Sequence, residues 1–215
     1  MDVLIDNFGE ILEGFRTTLA LFAASAVIAL LLGTVLGAMR VSPVPVLRAA
    51  GTVYVNVARN TPLVVVFLLV VFCLPELGVQ LSFFVRASIA LSLYTASFVC
   101  EAVRSGVNAV STGQSEAARA VGMTFGQSLG QIVLPQAFRT VIPPLVSILI
   151  ALAKNTSIAS AFGVIEATAL MKGFIRDNPG DIYAIFFGFA AGYVLITLSL
   201  AGIARLIESK VAIVR

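Results

Sequence analysis

Three clusters of polar residues in an otherwise apolar chain have types and spacings that could do chemistry: Glu101 with Arg104, Glu116 with Arg119, and the run Lys154-Asn155-Thr156-Ser157. The first two are opposite charges at i and i+3, neighbours on one face of a helix and able to pair there or across a contact. The third places four hydrogen-bonding side chains together, suited to holding a zwitterion near an unwound helix end. An alternative for that run is a helix C-cap with Lys154 set favourably against the helix dipole. All of this is recognition chemistry rather than bond-breaking chemistry. The chain has no histidine, hence none of the usual general base, proton shuttle or zinc ligand. No glycine is followed by lysine, so the G-x-x-x-x-G-K-[ST] phosphate loop does not occur in it. Cys73 and Cys100 lie in apolar segments without C-x-x-C spacing and read as packing residues. The sequence calls for no catalytic residue, metal or cofactor.

The residues around Glu116 predict the element that carries it. Ser111 with Gln114 has the S/T-x-x-E/Q form of a capping box, so a helix is expected to open near Thr112 with Glu116 close to its start. Gly122 is expected to stop it, and Thr124 with Gln127 repeats the capping pattern, which predicts a second helix running toward Pro135. The product is a bent helical pair that can act as a lever, with Ala117 and Ala118 leaving one face low enough for another protein to approach closely.

Composition says where this lever sits. With 59% hydrophobic and 12% charged residues over 215 positions, and a mean hydropathy of +1.03, the chain is far from a soluble domain, whose charged share is about 25%. It reads as an all-α, polytopic membrane bundle forming one domain over 1–215. The net charge of +3 is small and dispersed, which excludes a nucleic-acid partner. Charge-free runs at 17–39 and 182–204 are long enough to cross a hydrocarbon core of about 30 Å. Shorter runs at 60–75, 87–100 and 140–153 read as three inner spans that borrow polar residues at their ends, which is tolerated where helices bury against protein or line a wet cavity. Segment 155–180 is too short and turn-rich to cross and is expected to dip in at most. Gly33-x-x-x-Gly37 and Gly188-x-x-x-Gly192 predict close helix packing in the first and last spans. Arg59-Asn60-Thr61-Pro62 reads as the opening of a helix, with the proline near its first position and the polar groups capping the exposed amides.

Five spans put the chain ends on opposite sides, and basic residues choose the orientation. Arg40, Arg48, Arg59, Arg104, Arg119, Arg139, Arg205, Lys210 and Arg215, nine in all, fall on one side. Arg16, Arg86, Lys154, Lys172 and Arg176 fall on the other, with eight of the eleven acids. The side with nine is expected to be cytoplasmic, with the N-terminus outside. Asp2, Asp6, Glu10 and Glu13 precede the first basic residue, the reverse of a signal peptide, so the first apolar segment is expected to stay in the mature protein.

Glu116-Ala117-Ala118, then Gly122, then Ile132-Val133-Leu134-Pro135 resembles the cytoplasmic coupling motif of permease subunits of binding-protein-dependent ABC importers. The flanks Gly113-Gln114, Pro135-Gln136-Ala137 and Lys154-Asn155-Thr156-Ser157 are similar to the polar amino-acid importers. Arg59-Asn60-Thr61-Pro62-Leu63 and the stretch from Tyr94 to Glu101 look in particular like glutamate-type subunits; many relatives carry glycine where Asn60 stands. The resemblance covers roughly 54–170. It implies a type I importer permease fold with a cytoplasmic coupling helix in which Glu116, Ala117, Ala118, Arg119 and Gly122 contact an ATPase. It also implies a second, homologous permease chain in a heterodimer, a cytoplasmic ATPase dimer, an extracytoplasmic solute-binding protein and a polar amino-acid substrate such as glutamate.

Lys154, Asn155, Thr156, Ser157, Glu101 and Arg104 are the candidates for the substrate pathway, Lys154 as counter-charge to an acidic substrate. Glu101 and Arg104 could equally be a structural pair that lowers the roughly 2.5 to 3.5 kcal/mol assigned to a charge at mid-membrane. The competing function is a secondary transporter or channel, which needs its own ion-coupling carboxylate or pore ring; Glu101 is the one plausible buried acid in the sequence.

Overall fold

The computed structural model describes residues 2–211, with side chains from Val3 to Ser209, so Arg215 and the side chains of Asp2 and Lys210 counted above lie outside the described residues. The described residues are mostly helical, with short turns between helices and no strand. A short α1 (Asp2–Asp6) leads into α2 (Phe8–Val41), then α3 (Pro45–Asn60), α4 (Leu63–Glu76), α5 (Phe83–Asn108), α6 (Thr112–Ala120), α7 (Phe125–Phe162), α8 (Ala167–Asp177) and α9 (Ile182–Val211).

Helices α2, α5 and α7 are each long and apolar enough to cross a membrane, as is Pro179–Ser209, which contains most of α9. The fifth candidate span is α3 and α4 taken together, a pair bent by 105° that is long and apolar enough only as one unit. The sequence places an inner span at 60–75 but gives no sign of α3, and the Arg59-Asn60-Thr61-Pro62 block works differently from expectation. Asn60 Nδ2 and Thr61 Oγ1 donate back to the carbonyls of Asn56 and Val57 at 2.7 and 2.8 Å, closing the end of α3 rather than capping α4. Pro62 stands outside α4, and its carbonyl accepts from Val65 and Val66. Two inner spans are also much longer than their charge-free runs: α7 continues past Arg139 and Lys154, and α5 continues past Arg86, which donates to the Val71 carbonyl at 2.7 Å, and past Glu101 and Arg104, which pair with each other, while buried Ser88, Ser92 and Ser97 inside it donate to backbone carbonyls.

Close backbone approach holds α2 against α5. A Cβ on Gly33 would lie 2.5 Å from Val99 Cβ, and one on Gly37 would lie 2.7 Å from Val103 Cγ1, as the small-residue spacing predicts. Gly188 and Gly192 do the same on α9, against Leu4 and Phe15. The central core brings Leu21 of α2, Phe67 of α4, Leu91 of α5 and Leu152 of α7 together, with Phe67 stacked on Phe162 at 4.9 Å between ring centroids. Tyr54 fastens α3 to α5 by donating to the Leu93 carbonyl at 2.6 Å.

Segment 155–180 divides in two. Thr156–Phe162 tightens α7 into a last 3₁₀ stretch that ends at Gly163 in the left-handed region, φ +84°. Helix α8, eleven residues and about 16 Å long, then folds back onto α2 and α9; it is too short to span. Cys100 is buried as expected, but Cys73, at the end of a π-helical turn over Leu69–Cys73, is exposed rather than packed in the core.

Candidate functional site

The E-A-A segment forms the bent pair that its punctuation predicts. Ser111 precedes α6, though its hydroxyl makes no capping bond, so only the backbone of the first expected capping box is present. The second box closes fully: Gln127 N donates to Thr124 Oγ1 at 3.3 Å and Thr124 N donates to Gln127 Oε1 at 2.9 Å. Between them Gly122 adopts φ +87°, in the region that glycine occupies without steric cost. The second helix does not stop at Pro135. A π turn over Ser128–Val133 precedes the proline, and the helix runs on beyond it to Phe162.

Glu116, Ala117 and Arg119 are exposed on α6, and Ala118 is buried against the pair's own second arm. Glu116 and Arg119 do not pair with each other; Arg119 Nε donates to the Ser115 carbonyl at 3.4 Å. The Glu116 carboxylate therefore remains open to an external partner. Beside it, Val121 and Phe125 are 79% and 80% exposed, an apolar tip that the sequence reading passed over. The arm thus presents an open carboxylate and two exposed apolar side chains at its elbow.

Glu101 is a hub rather than half of a pair. Its Oε1 accepts from Arg104, at 3.0 Å from Nε and more closely from Nη2, and its Oε2 accepts from Arg40 of α2. Arg59 of α3 stands 3.9 Å from the same oxygen and lies over the Phe98 ring at 5.3 Å. One carboxylate thus ties three helices through three guanidinia. The sequence shows only the i, i+3 partner; the other two come from α2 and α3 and were legible only as members of the basic majority on one side.

The Lys154-Asn155-Thr156-Ser157 side chains do not converge. Thr156 is buried with its hydroxyl donating to the Ala153 carbonyl at 2.7 Å, Ser157 donates to the Lys154 carbonyl at 2.8 Å, and Lys154 is exposed. Asn155 alone lines a cavity of about 360 Å³ with Tyr94, Thr95, Phe98, Ser147, Ile148, Ala151 and Leu152. Phe98 also borders a second cavity of about 300 Å³ lined by Val55, Asn56, Arg59 and Asn60. Phe98 is thus common to a lining that includes Asn155 of α7 and one that includes Arg59 of α3.

The buried acid is a different residue from the one expected. Glu166, before α8, is fully buried; its Oε2 accepts from Tyr193 of α9 at 2.7 Å and from Thr18 of α2 at 3.1 Å, and its Oε1 accepts from Ala169 N at 3.0 Å. Tyr193 in turn shares a 2.8 Å hydrogen bond with Thr168. Three neutral donors from three helices satisfy this carboxyl, a network that no local sequence pattern announces. Among the described residues no group of three metal-ligating side chains gathers.

Comparison with known proteins agrees with this architecture. The glutamate transport system permease protein GluC of Corynebacterium glutamicum is 43% identical over 212 residues, 93% of each chain. The glutamate/aspartate import permease protein GltJ of Escherichia coli K12 is 34% identical over 216 residues, 94% of this chain and 87% of that one. A crystal structure of an amino acid ABC transporter superposes with a TM-score of 0.89 at 27% identity over 97% of both chains. The methionine ABC transporter MetNI in an inward-facing conformation shares the fold with a TM-score of 0.81 at 19% identity, over 97% of this chain and 99% of that one. The family model described as the binding-protein-dependent transport system inner membrane component matches residues 13–213. A membrane bundle carrying a bent arm outside its spans is thus a member of that family: the chain is a multi-pass inner-membrane permease of the amino-acid ABC importers.

Proposed function

We propose that this chain is one permease subunit of an ATP-driven, binding-protein-dependent importer of glutamate or a related polar amino acid. It acts as a single domain over 1–215, with the N-terminus outside and the basic side in the cytoplasm. The observation that carries the reading is the α6–Gly122–α7 arm: exposed Glu116, Ala117, Arg119, Val121 and Phe125 form a plug, and the helix behind it is continuous into span α7. Ala118 packs within the arm and keeps it rigid. An ATPase dimer that holds the plug moves α7 as a rigid body, and nucleotide shifts the outward and inward states only by stabilising them differently. The ATPase chemistry belongs to that partner. The solute-binding protein delivers substrate from outside, and a second homologous permease completes the cavity in a heterodimer.

Within the cavity, Asn155, Thr95 and Ser147 supply polar contacts and Tyr94 and Phe98 supply apolar walls. Lys154 and Arg59 are the flanking cations for an acidic substrate. Thr156 and Ser157 shape the turn that presents Asn155, and the Glu101–Arg104 hub anchors the inner end of the path. The glutamate assignment rests on the 43% identical relative.

The test is reconstitution of the chain with its ATPase, second permease and binding protein, reading ATP-dependent uptake of labelled glutamate. Glutamate uptake driven by an ion gradient in the lone chain would support the rival reading, a secondary transporter.

A further inference from the structure

We infer that the outward face of the Arg40, Arg48 and Arg104 cluster is a headgroup site for an anionic phospholipid of the cytoplasmic leaflet, an inference that rests on the membrane orientation proposed above. The three guanidinia border an open cavity of about 570 Å³ with Pro45, Thr52 and Val53. Glu101 engages Nη1 of Arg40 and both Nε and Nη2 of Arg104, so each keeps further N–H groups for another acceptor. Arg48 uses Nη1 on the Ser42 and Pro43 carbonyls at 3.1 and 3.0 Å and is otherwise exposed. Three positive charges against one carboxylate leave the pocket strongly in need of an anion, and its guanidinium forks suit phosphate oxygens.

The surroundings say that this anion carries acyl chains. Val46 and Val53, on α3 beside Arg48, are 74% and 62% exposed, and Val44 and Leu47 are exposed as well. Basic residues at the cytoplasmic end of membrane helices with an apolar wall beside them are where anionic headgroups bind. The pocket also spans the α2–α3 corner and α5, the three helices that Glu101 ties together. A phosphate seated there would neutralise the excess charge of the hub and hold α3 at the membrane surface.

The experiment is native mass spectrometry of the detergent-solubilised complete complex, titrated with phosphatidylglycerol or phosphatidylcholine. Arg48→Gln on α3 is compared with Arg205→Gln, the same charge change on α9. The wild-type complex is expected to retain phosphatidylglycerol in preference to phosphatidylcholine, Arg48→Gln to lose about fivefold of that retention, and Arg205→Gln to lose none. Equal loss in both variants, or none in either, would overturn the site. Displacement of the lipid by inorganic phosphate would make it a soluble-anion site and reject the lipid. Loss of ATPase-subunit association in Arg48→Gln at unchanged lipid retention would assign the patch to a protein contact and reject the proposal. Lipid retention is read independently of glutamate uptake, so failure of the transport reading and failure of this one leave different results.

Discussion

At the residue scale, Glu101 and Glu166 show two ways of keeping an acid inside a membrane bundle. Glu101 is paired with cations, and the partners differ in how much water they see: the Arg40 side chain is 13% exposed and that of Arg59 42%. Losing the drier partner uncovers more unscreened charge, so Arg40→Gln is expected to destabilise the chain by about 1–3 kcal/mol and Arg59→Gln by under about 1 kcal/mol. Thermal unfolding of the two purified variants checks the order, and a larger loss for Arg59→Gln would contradict it. Glu166 is held by neutral donors alone. Truncation to alanine removes a helix cap and empties the buried site, leaving Tyr193 only Thr168 and Thr18 only the Gly14 carbonyl as partner, at a cost of about 2–4 kcal/mol, whereas Tyr193→Phe keeps the cap and the Thr18 bond and costs about 1 kcal/mol. If the two variants unfold together, the carboxyl does not organise the junction of α2, α8 and α9.

At the element scale the coupling arm depends on one backbone conformation. The space around Gly122 is open, with nothing within 4 Å of an added Cβ, so a substitution there is penalised by its φ of +87° and not by a clash. Gly122→Leu is expected to strain the bend by about 1–2 kcal/mol and to abolish most uptake while the protein still inserts. Gly122→Asn, which tolerates the left-handed region, is expected to retain much of it. Uptake at the wild-type rate in Gly122→Leu would remove the lever from the account.

This arm was the most legible element in the sequence because its determinants are local: two caps, a glycine and a proline at fixed spacing. Helix α3 was not legible. It is amphipathic, with Pro45 at its start and Arg59 in its last turn, but Arg48 and Asn56 break its apolar run below the length of a span, and its placement is fixed by contacts distant in sequence, such as Tyr54 with the Leu93 carbonyl. The Glu166 junction failed for the same reason, since Thr18 and Tyr193 lie 148 and 27 residues away from it.

At the scale of the whole molecule, the sequence carried the membrane class and the approximate positions of five spans, because apolar run length is a bulk property that survives without knowledge of packing. It underestimated the lengths of α5 and α7, since it ended each run at the nearest charge and could not show that Arg86, Glu101 and Arg104 find partners inside the bundle. The assembled machine is expected to divide its labour: this chain forms half of the path, and the power comes from outside it. The most direct measurement is glutamate accumulation in proteoliposomes containing either the lone chain or the complete complex, with and without ATP on the cytoplasmic side and binding protein on the other. The account predicts accumulation only with the complete complex, ATP and binding protein together. Accumulation by the lone chain under an ion gradient, or by the complex without ATP, would contradict it.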